Sequence, residues 1–129
     1  MFNIRGLDHI NIQSSKYQES IKFYSELFGM EVKEEGVGMD GVPFTIVGKT
    51  GALYLALYDN VEAHDLGKTI AHLGVNVDNF DEAYSAAVEY GAKIADYGIV
   101  EYPKSKSFYL FDPNGIGIEV SSVFGGGLD

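Results

Sequence analysis

Three side chains able to bind a metal stand where the sequence otherwise asks for β-strands: His9 in "LDHINI", His72 in "IAHLGVNV" and Glu119 in "GIGIEVSS". Successive strand residues point to opposite faces of a sheet. In the first stretch Ile10 and Ile12 share one face, and Leu7, His9, Asn11 and Gln13 the other. In the second, Leu73, Val75 and Val77 oppose His72, Gly74 and Asn76. In the third, Ile116, Ile118 and Val120 oppose Gly117, Glu119 and Ser121. The strand before it sets Phe108 and Leu110 against Ser107, Tyr109 and Phe111. An amphipathic helix would cover the apolar face in each case. Both histidines, the glutamate, the tyrosine and the serine are then left together on the uncovered face. Two imidazoles and a carboxylate suit a divalent ion and leave coordination positions for water or substrate. Asn11 and Asn76, with the glycines beside them, suit a cavity lining better than a solvated sheet face. A lone histidine on a strand is ordinarily structural, and a duplication alone would leave two at matching positions. Glu119 on the same face is what favours a metal.

The elements that would position these groups occur twice. From His9 the chain reads "HINIQSSKYQESIKFYSELFGMEV" and from His72 "HLGVNVDNFDEAYSAAVEYGAKI". Each copy opens with an alternating stretch, passes a capping residue, runs through a helical pattern and stops at a glycine. In the first copy Ser15 is the expected N-cap, with Gln18 completing a capping box. Tyr17, Ile21, Tyr24 and Phe28 form the expected buried face, and Gly29 the stop. In the second copy Asp78 is the expected cap, Phe80, Tyr84, Ala87 and Val88 the face, and Gly91 the stop. "PFTIVGKTGALYLALYD" and "SFYLFDPNGIGIEVSS" each read as strand, turn and strand. The spacing predicts an α+β chain, a single domain over 1–129. It holds two βαβββ modules at about 5–60 and 69–124, joined by a linker at about 61–68.

Composition excludes several classes of function. The 129 residues are enough for one domain with a core, and 46% hydrophobic with 22% charged residues describes a folded chain. The net charge of −10 argues against nucleic acid or an anionic membrane as partner and mildly favours a cationic ligand. There is no cysteine, so disulfides, thiolate metal sites and cysteine nucleophiles are excluded. Neither a signal segment nor an apolar run of membrane-spanning length is present, so a cytoplasmic protein is expected. His64 reads as a surface residue of the linker, and the tail "FGGGLD" as flexible.

"GLDHINI", "SIKFYSELFGMEV", "IAHLGVNV" and above all "FYLFDPNGIGIEV" resemble the vicinal-oxygen-chelate superfamily of glyoxalase I, fosfomycin-resistance enzymes, extradiol dioxygenases and bleomycin-resistance proteins. The resemblance runs from about Leu7 to Val123. It implies paired βαβββ modules with a curved mixed sheet around a metal-containing cavity, usually in a homodimer. Carried over, it makes His9, His72 and Glu119 the ligands of a divalent ion (Fe, Mn, Zn or Ni). The same likeness makes Tyr109 a catalytic donor to a metal-bound substrate oxygen. Aligning Gly51 with Gly115 equates Leu55 with Glu119, so leucine stands where glyoxalase-type members add a fourth ligand. The extradiol histidine shortly before the tyrosine is missing from "EYPKSK", and only Lys104 and Lys106 lie near the expected cavity mouth. Asn11, Leu55, Asn76, Ser107 and Phe111 are the expected substrate-binding residues, with Leu53 and Leu57 beside Leu55 in an apolar wall. The function implied is a metal-dependent enzyme, dioxygenase-like or fosfomycin-transferase-like, on a small substrate that chelates through oxygens. The alternative is a non-catalytic protein of the bleomycin-resistance kind that sequesters a drug-like or cationic ligand.

Overall fold

The computed structural model describes residues 1, 3, 7, 9–38, 40–63 and 72–128, so His64 and Arg5 lie outside the described residues. The chain divides into two compact units, Met1–His64 and Asp65–Asp129. The strands form two mixed sheets and two α-helices pack on them, an α+β fold. Among the described residues no helix is long and apolar enough to cross a membrane.

The first unit runs β1 (Ile10–Ser14), α1 (Tyr17–Glu26), β2 (Glu31–Val37), β3 (Pro43–Lys49) and β4 (Leu53–Asp59). The sheet order is β1-β4-β3-β2, with β1 parallel to β4 and the other pairs antiparallel. Buried Ile12, Thr45, Val47, Leu55 and Leu57 share the face toward α1, where the Tyr17 and Thr45 hydroxyls hydrogen-bond. Asn11, Phe44, Ile46, Tyr54, Ala56 and Tyr58 occupy the other face, Phe44 and Tyr58 stacked at 5.5 Å. The corner before α1 is not held as the capping box predicts. The N-cap is Lys16, which makes no side-chain cap, and Ser14 Oγ instead accepts the Lys16 N–H at 3.0 Å. Ser20 Oγ, wholly buried, donates to Lys16 O at 2.8 Å and lies 3.1 Å from Ser14 Oγ. The buried stripe of α1 is rotated accordingly to Ser20, Phe23 and Tyr24, leaving Tyr17, Ile21 and Phe28 half-buried.

The second unit runs β5 (His72–Asn76), α2 (Phe80–Tyr90), β6 (Lys93–Ile94), β7 (Val100–Glu101), β8 (Lys106–Phe111) and β9 (Gly117–Ser121), then a 3₁₀ turn at Phe124–Gly127. The order β5-β9-β8-β6 matches the first sheet, but its edge strand is broken into β6 and β7, both paired to β8. The helix-side core holds Phe108, Leu110, Ile118 and Val120, and the Phe80 and Tyr84 rings meet Phe108 edge-on at 5.5 and 5.1 Å. Asn79, one residue past Asp78, is the cap of α2, its side chain accepting the Glu82 N–H at 3.2 Å. Phe80 and Ala87 are buried as expected, whereas Val88 is exposed because it lies beyond the edge of that stripe. Gly91 ends the helix in the left-handed conformation (φ 82°) that favours glycine. At the β8–β9 turn Asp112 Oδ1 accepts the N–H groups of Asn114 and Ile116, both at 2.8 Å.

Candidate metal and substrate site

Pairing between β5, β9 and β8 brings three of the chemistry-bearing residues onto the uncovered face of the second sheet. His72 is in register with Gly117 and Gly74 with Glu119, so His72 and Glu119 are diagonal neighbours on that face. Tyr109 stands directly opposite Glu119 across the β8–β9 pair. Its hydroxyl donates to Glu119 Oε1. The His72 ring meets the Tyr109 ring edge-on, centroids 5.6 Å apart. Burial first, and then the hydrogen bonds with Glu119 and Tyr102, push the Tyr109 phenol well above its ordinary ionisation range. A phenol so shifted stays protonated and serves as a donor.

Gly74 is the residue in register with Glu119, and a Cβ built there would meet no atom within 4 Å. Its backbone is not in the left-handed region, so no local strain calls for glycine. The missing side chain leaves open ground beside the carboxylate and the imidazole. One imidazole nitrogen donor and one carboxylate around such a space fit the chemistry of a divalent ion. Among the described residues no group of three histidine, aspartate or glutamate side chains is arranged to hold an ion. His9 belongs to the first unit, exposed just before β1.

A cavity of about 500 Å³ opens on the same face, lined by Tyr102, Lys104, Ser107, Glu119, Ser121 and Leu128 among others. The Glu119 carboxylate and the hydroxyls of Tyr102, Ser105, Ser107 and Ser121 supply polar groups within a mainly apolar lining that includes Leu128. The 102–105 loop and the C-terminal turn form its sides. That turn is seated rather than loose: a Cβ at Gly127 would lie 3.1 Å from Lys104 Cβ and 3.2 Å from Lys104 O. Ser121 Oγ donates to Val123 O at 2.8 Å and ties the turn to β9.

The other expected contact residues are placed differently. Ser107 lines the cavity and is 1% exposed. Phe111 shares its face, with Lys93 Nζ 5.6 Å from the ring centre. Asn76 Nδ2 donates to Ser121 O at 3.0 Å, and Asn11 Oδ1 accepts from Gln13 Nε2 at 2.7 Å, so each amide is engaged within its own unit. The expectation for Leu55 is overturned. It pairs with Ile10 in β1 and is wholly buried on the face toward α1, with Leu57. Register sets Asn11 opposite Ala56, as Gly74 is opposite Glu119, which makes Ala56 the counterpart of Glu119. Alanine offers no ligand either. Lys106 also turns to the helix side, its Nζ 4.9 Å from the Phe80 ring centre and 3.6 Å from Asp81 Oδ1. Lys104 alone of the two lines the cavity.

Two aromatic residues join the cluster without having been anticipated. Tyr102 Oη lies 2.9 Å from Tyr109 Oη, and the Tyr97 ring meets the Tyr109 ring at 5.7 Å. Both sit in loop-like stretches where periodicity carries no signal.

Known proteins share this architecture. The chain is 27% identical over 118 residues to the metallothiol transferase FosB of Lysinibacillus sphaericus (strain C3-41), covering 87% of this chain and 78% of that one. FosX, a genomically encoded fosfomycin resistance protein of Listeria monocytogenes crystallised with Mn(II) and sulfate, matches with a TM-score of 0.70 at 18% identity, over 93% of each chain. TnmS3, an antibiotic binding protein from Streptomyces sp. CB03234, matches with a TM-score of 0.77 at 21% identity, over 95% of this chain and 98% of that one. At such identities the structural likenesses speak to the fold alone. Residues 6–120 match the model of the Glyoxalase/Bleomycin resistance protein/Dioxygenase superfamily, and the chain belongs to that superfamily.

Proposed function

We propose that the protein is a metal-dependent enzyme of this superfamily, acting on a small substrate that chelates through oxygens, in the manner of the fosfomycin-resistance branch. The observation that carries the reading is the open ground at Gly74 between His72 and Glu119, with the Tyr109 hydroxyl turned onto the carboxylate. His72 and Glu119 are two donors of the set, and the likeness to the superfamily names His9, at the matching position of the first repeat, as a further ligand. A divalent ion held there would act as a Lewis acid on a substrate oxygen. Tyr109 keeps a proton beside the reacting oxygens and orients the carboxylate. Ser107 presents a hydroxyl from the cavity floor, and Lys104 at its side meets an anionic end of the substrate. The metallothiol transferase relative supports group transfer of a thiol onto such a substrate over ring-opening dioxygenation. Function as a cytoplasmic homodimer belongs to the same reading.

The test is Mn(II) binding by protein purified without chelator, beside a His9→Ala, Glu119→Ala double variant. Retained Mn(II) in the parent alone, followed by thiol-dependent loss of fosfomycin, supports the reading. Equal, negligible binding by both proteins sinks it. Oxygen uptake with a catechol panel reads out the dioxygenase branch in the same samples.

A second reading, sequestration of a cationic drug-like ligand without catalysis, is favoured by the exposed Tyr97 and Tyr102 rings beside Tyr109 and by the net charge of −10. The antibiotic binding protein TnmS3 lends it support. Tight ligand binding that is indifferent to chelator, with no turnover, distinguishes it.

A further inference from the structure

The loop before β8 carries a second phenol to the site. Tyr102 Oη and Tyr109 Oη are 2.9 Å apart. A phenol has one proton, and Tyr109 commits its own to Glu119 Oε1. Across the tyrosine pair Tyr102 is therefore the donor and Tyr109 the acceptor. The bonds run one way, from Tyr102 through Tyr109 to the carboxylate. Tyr109 is also fixed laterally, by the His72 ring at 5.6 Å and the Tyr97 ring at 5.7 Å. Tyr102 is in turn anchored by its backbone, the N–H donating to Ser105 O at 2.8 Å to close the 102–105 turn. The C-terminal turn rests on that same loop at Lys104.

We propose that Tyr102 is a positioning residue for the metal site, an inference that rests on the reading of His72 and Glu119 as ligands. Its donated proton satisfies the Tyr109 oxygen and holds the Tyr109 proton on Glu119 Oε1. One carboxylate oxygen is then engaged by the phenol, which would leave the other for the ion. Without Tyr102 the Tyr109 hydroxyl is free to rotate toward water and release the carboxylate. Partners behind a ligand commonly set its orientation and basicity in this way. Seating of the 102–105 loop and loading of the ion are thereby linked through two hydrogen bonds.

The experiment is a Mn(II) titration, followed by the resonance of the free ion, on the full chain and five variants. Tyr109→Phe weakens Mn(II) by about tenfold and Tyr102→Phe by about threefold or more, within or just below the range for partners of metal ligands. Because Tyr102 acts through Tyr109, the double variant is no weaker than Tyr109→Phe alone. Tyr97→Phe keeps its ring and loses a hydroxyl outside the chain, so its affinity is that of the parent. Without metal, Tyr102→Phe moves the Tyr109 ring resonances and Tyr97→Phe leaves them in place. Parental affinity in Tyr102→Phe, or additive losses in the double variant, overturns the inference while the metal reading stands. A parent that binds Mn(II) no better than Glu119→Gln overturns the metal reading and this inference with it.

Discussion

Tyr109 and Glu119 face each other across β8 and β9, and the phenol donates to the carboxylate on a half-buried sheet face. Paired so, neither group is idle: the carboxylate gains a donor in a place with partial access to water, and the phenol gains an acceptor. Removing the donor with Tyr109→Phe leaves the carboxylate to water on that side. A bond to a charged group is worth about 1.5–3 kcal/mol when sheltered, and partial exposure brings the expected loss here to about 1 kcal/mol. Glu119→Gln retains an acceptor oxygen and costs less. Urea unfolding of the metal-free proteins measures both, and equal midpoints for Tyr109→Phe and the parent would show that the bond contributes nothing to stability.

Leu55 has no solvent exposure and packs with Ile12 and Leu57 beneath α1. Truncation to alanine removes three carbons from a filled core and opens a hole there. Leu55→Ala therefore costs about 2–5 kcal/mol by urea unfolding. At temperatures where the variant remains folded its Mn(II) affinity is that of the parent, because the side chain points away from the uncovered face. A variant of parental stability and altered metal affinity would put Leu55 back in the cavity wall.

At the start of α2 the cap is Asn79, whose Oδ1 takes the Glu82 N–H. Asn79→Ala loses that bond and is expected to cost about 1 kcal/mol. Asp78→Ala removes a side chain with no part in the cap and costs less, which thermal melts of the two variants compare directly. At the other end Gly91 adopts φ 82°, and Gly91→Ala costs about 1–2 kcal/mol by placing a Cβ in the left-handed region.

What could be read from sequence follows from which periodicities tolerate error. Strand alternation has period two, so it puts Ile12, Phe108, Leu110, Ile118 and Val120 on the helix side, where they lie, and His72, Tyr109 and Glu119 opposite them. The same period makes a one-residue slip fatal. Aligning the turns at Gly51 and Gly115 is one residue out of register, and it moves Leu55 from the core to the cavity. Helix caps are harder to read: Asp78 and Asn79 are neighbours of equal capping ability, and at α1 the N-cap falls on Lys16, with no side-chain cap, while Ser14 Oγ takes its N–H. Edge strands two residues long, such as β6 and β7, are too short to carry any pattern. Tyr102 and Tyr97 reach the site through loop geometry, which no spacing rule encodes.

Gly74 offers a test in which stability and function move apart. It lies in the middle of β5, its backbone permits any residue, and a Cβ there meets nothing within 4 Å. Glycine in a strand interior is unfavourable, since it has the most conformational freedom to lose and no side chain to pack. Gly74→Val should therefore leave the protein as stable as the parent or more so, by up to about 1 kcal/mol. The new side chain would stand directly opposite Glu119, in the ground the proposed ion and substrate share. Mn(II) affinity and turnover are then both expected to collapse while the melting temperature holds or rises. Parental metal binding in a stable Gly74→Val protein would mean that the space beside Glu119 is not where the ion sits.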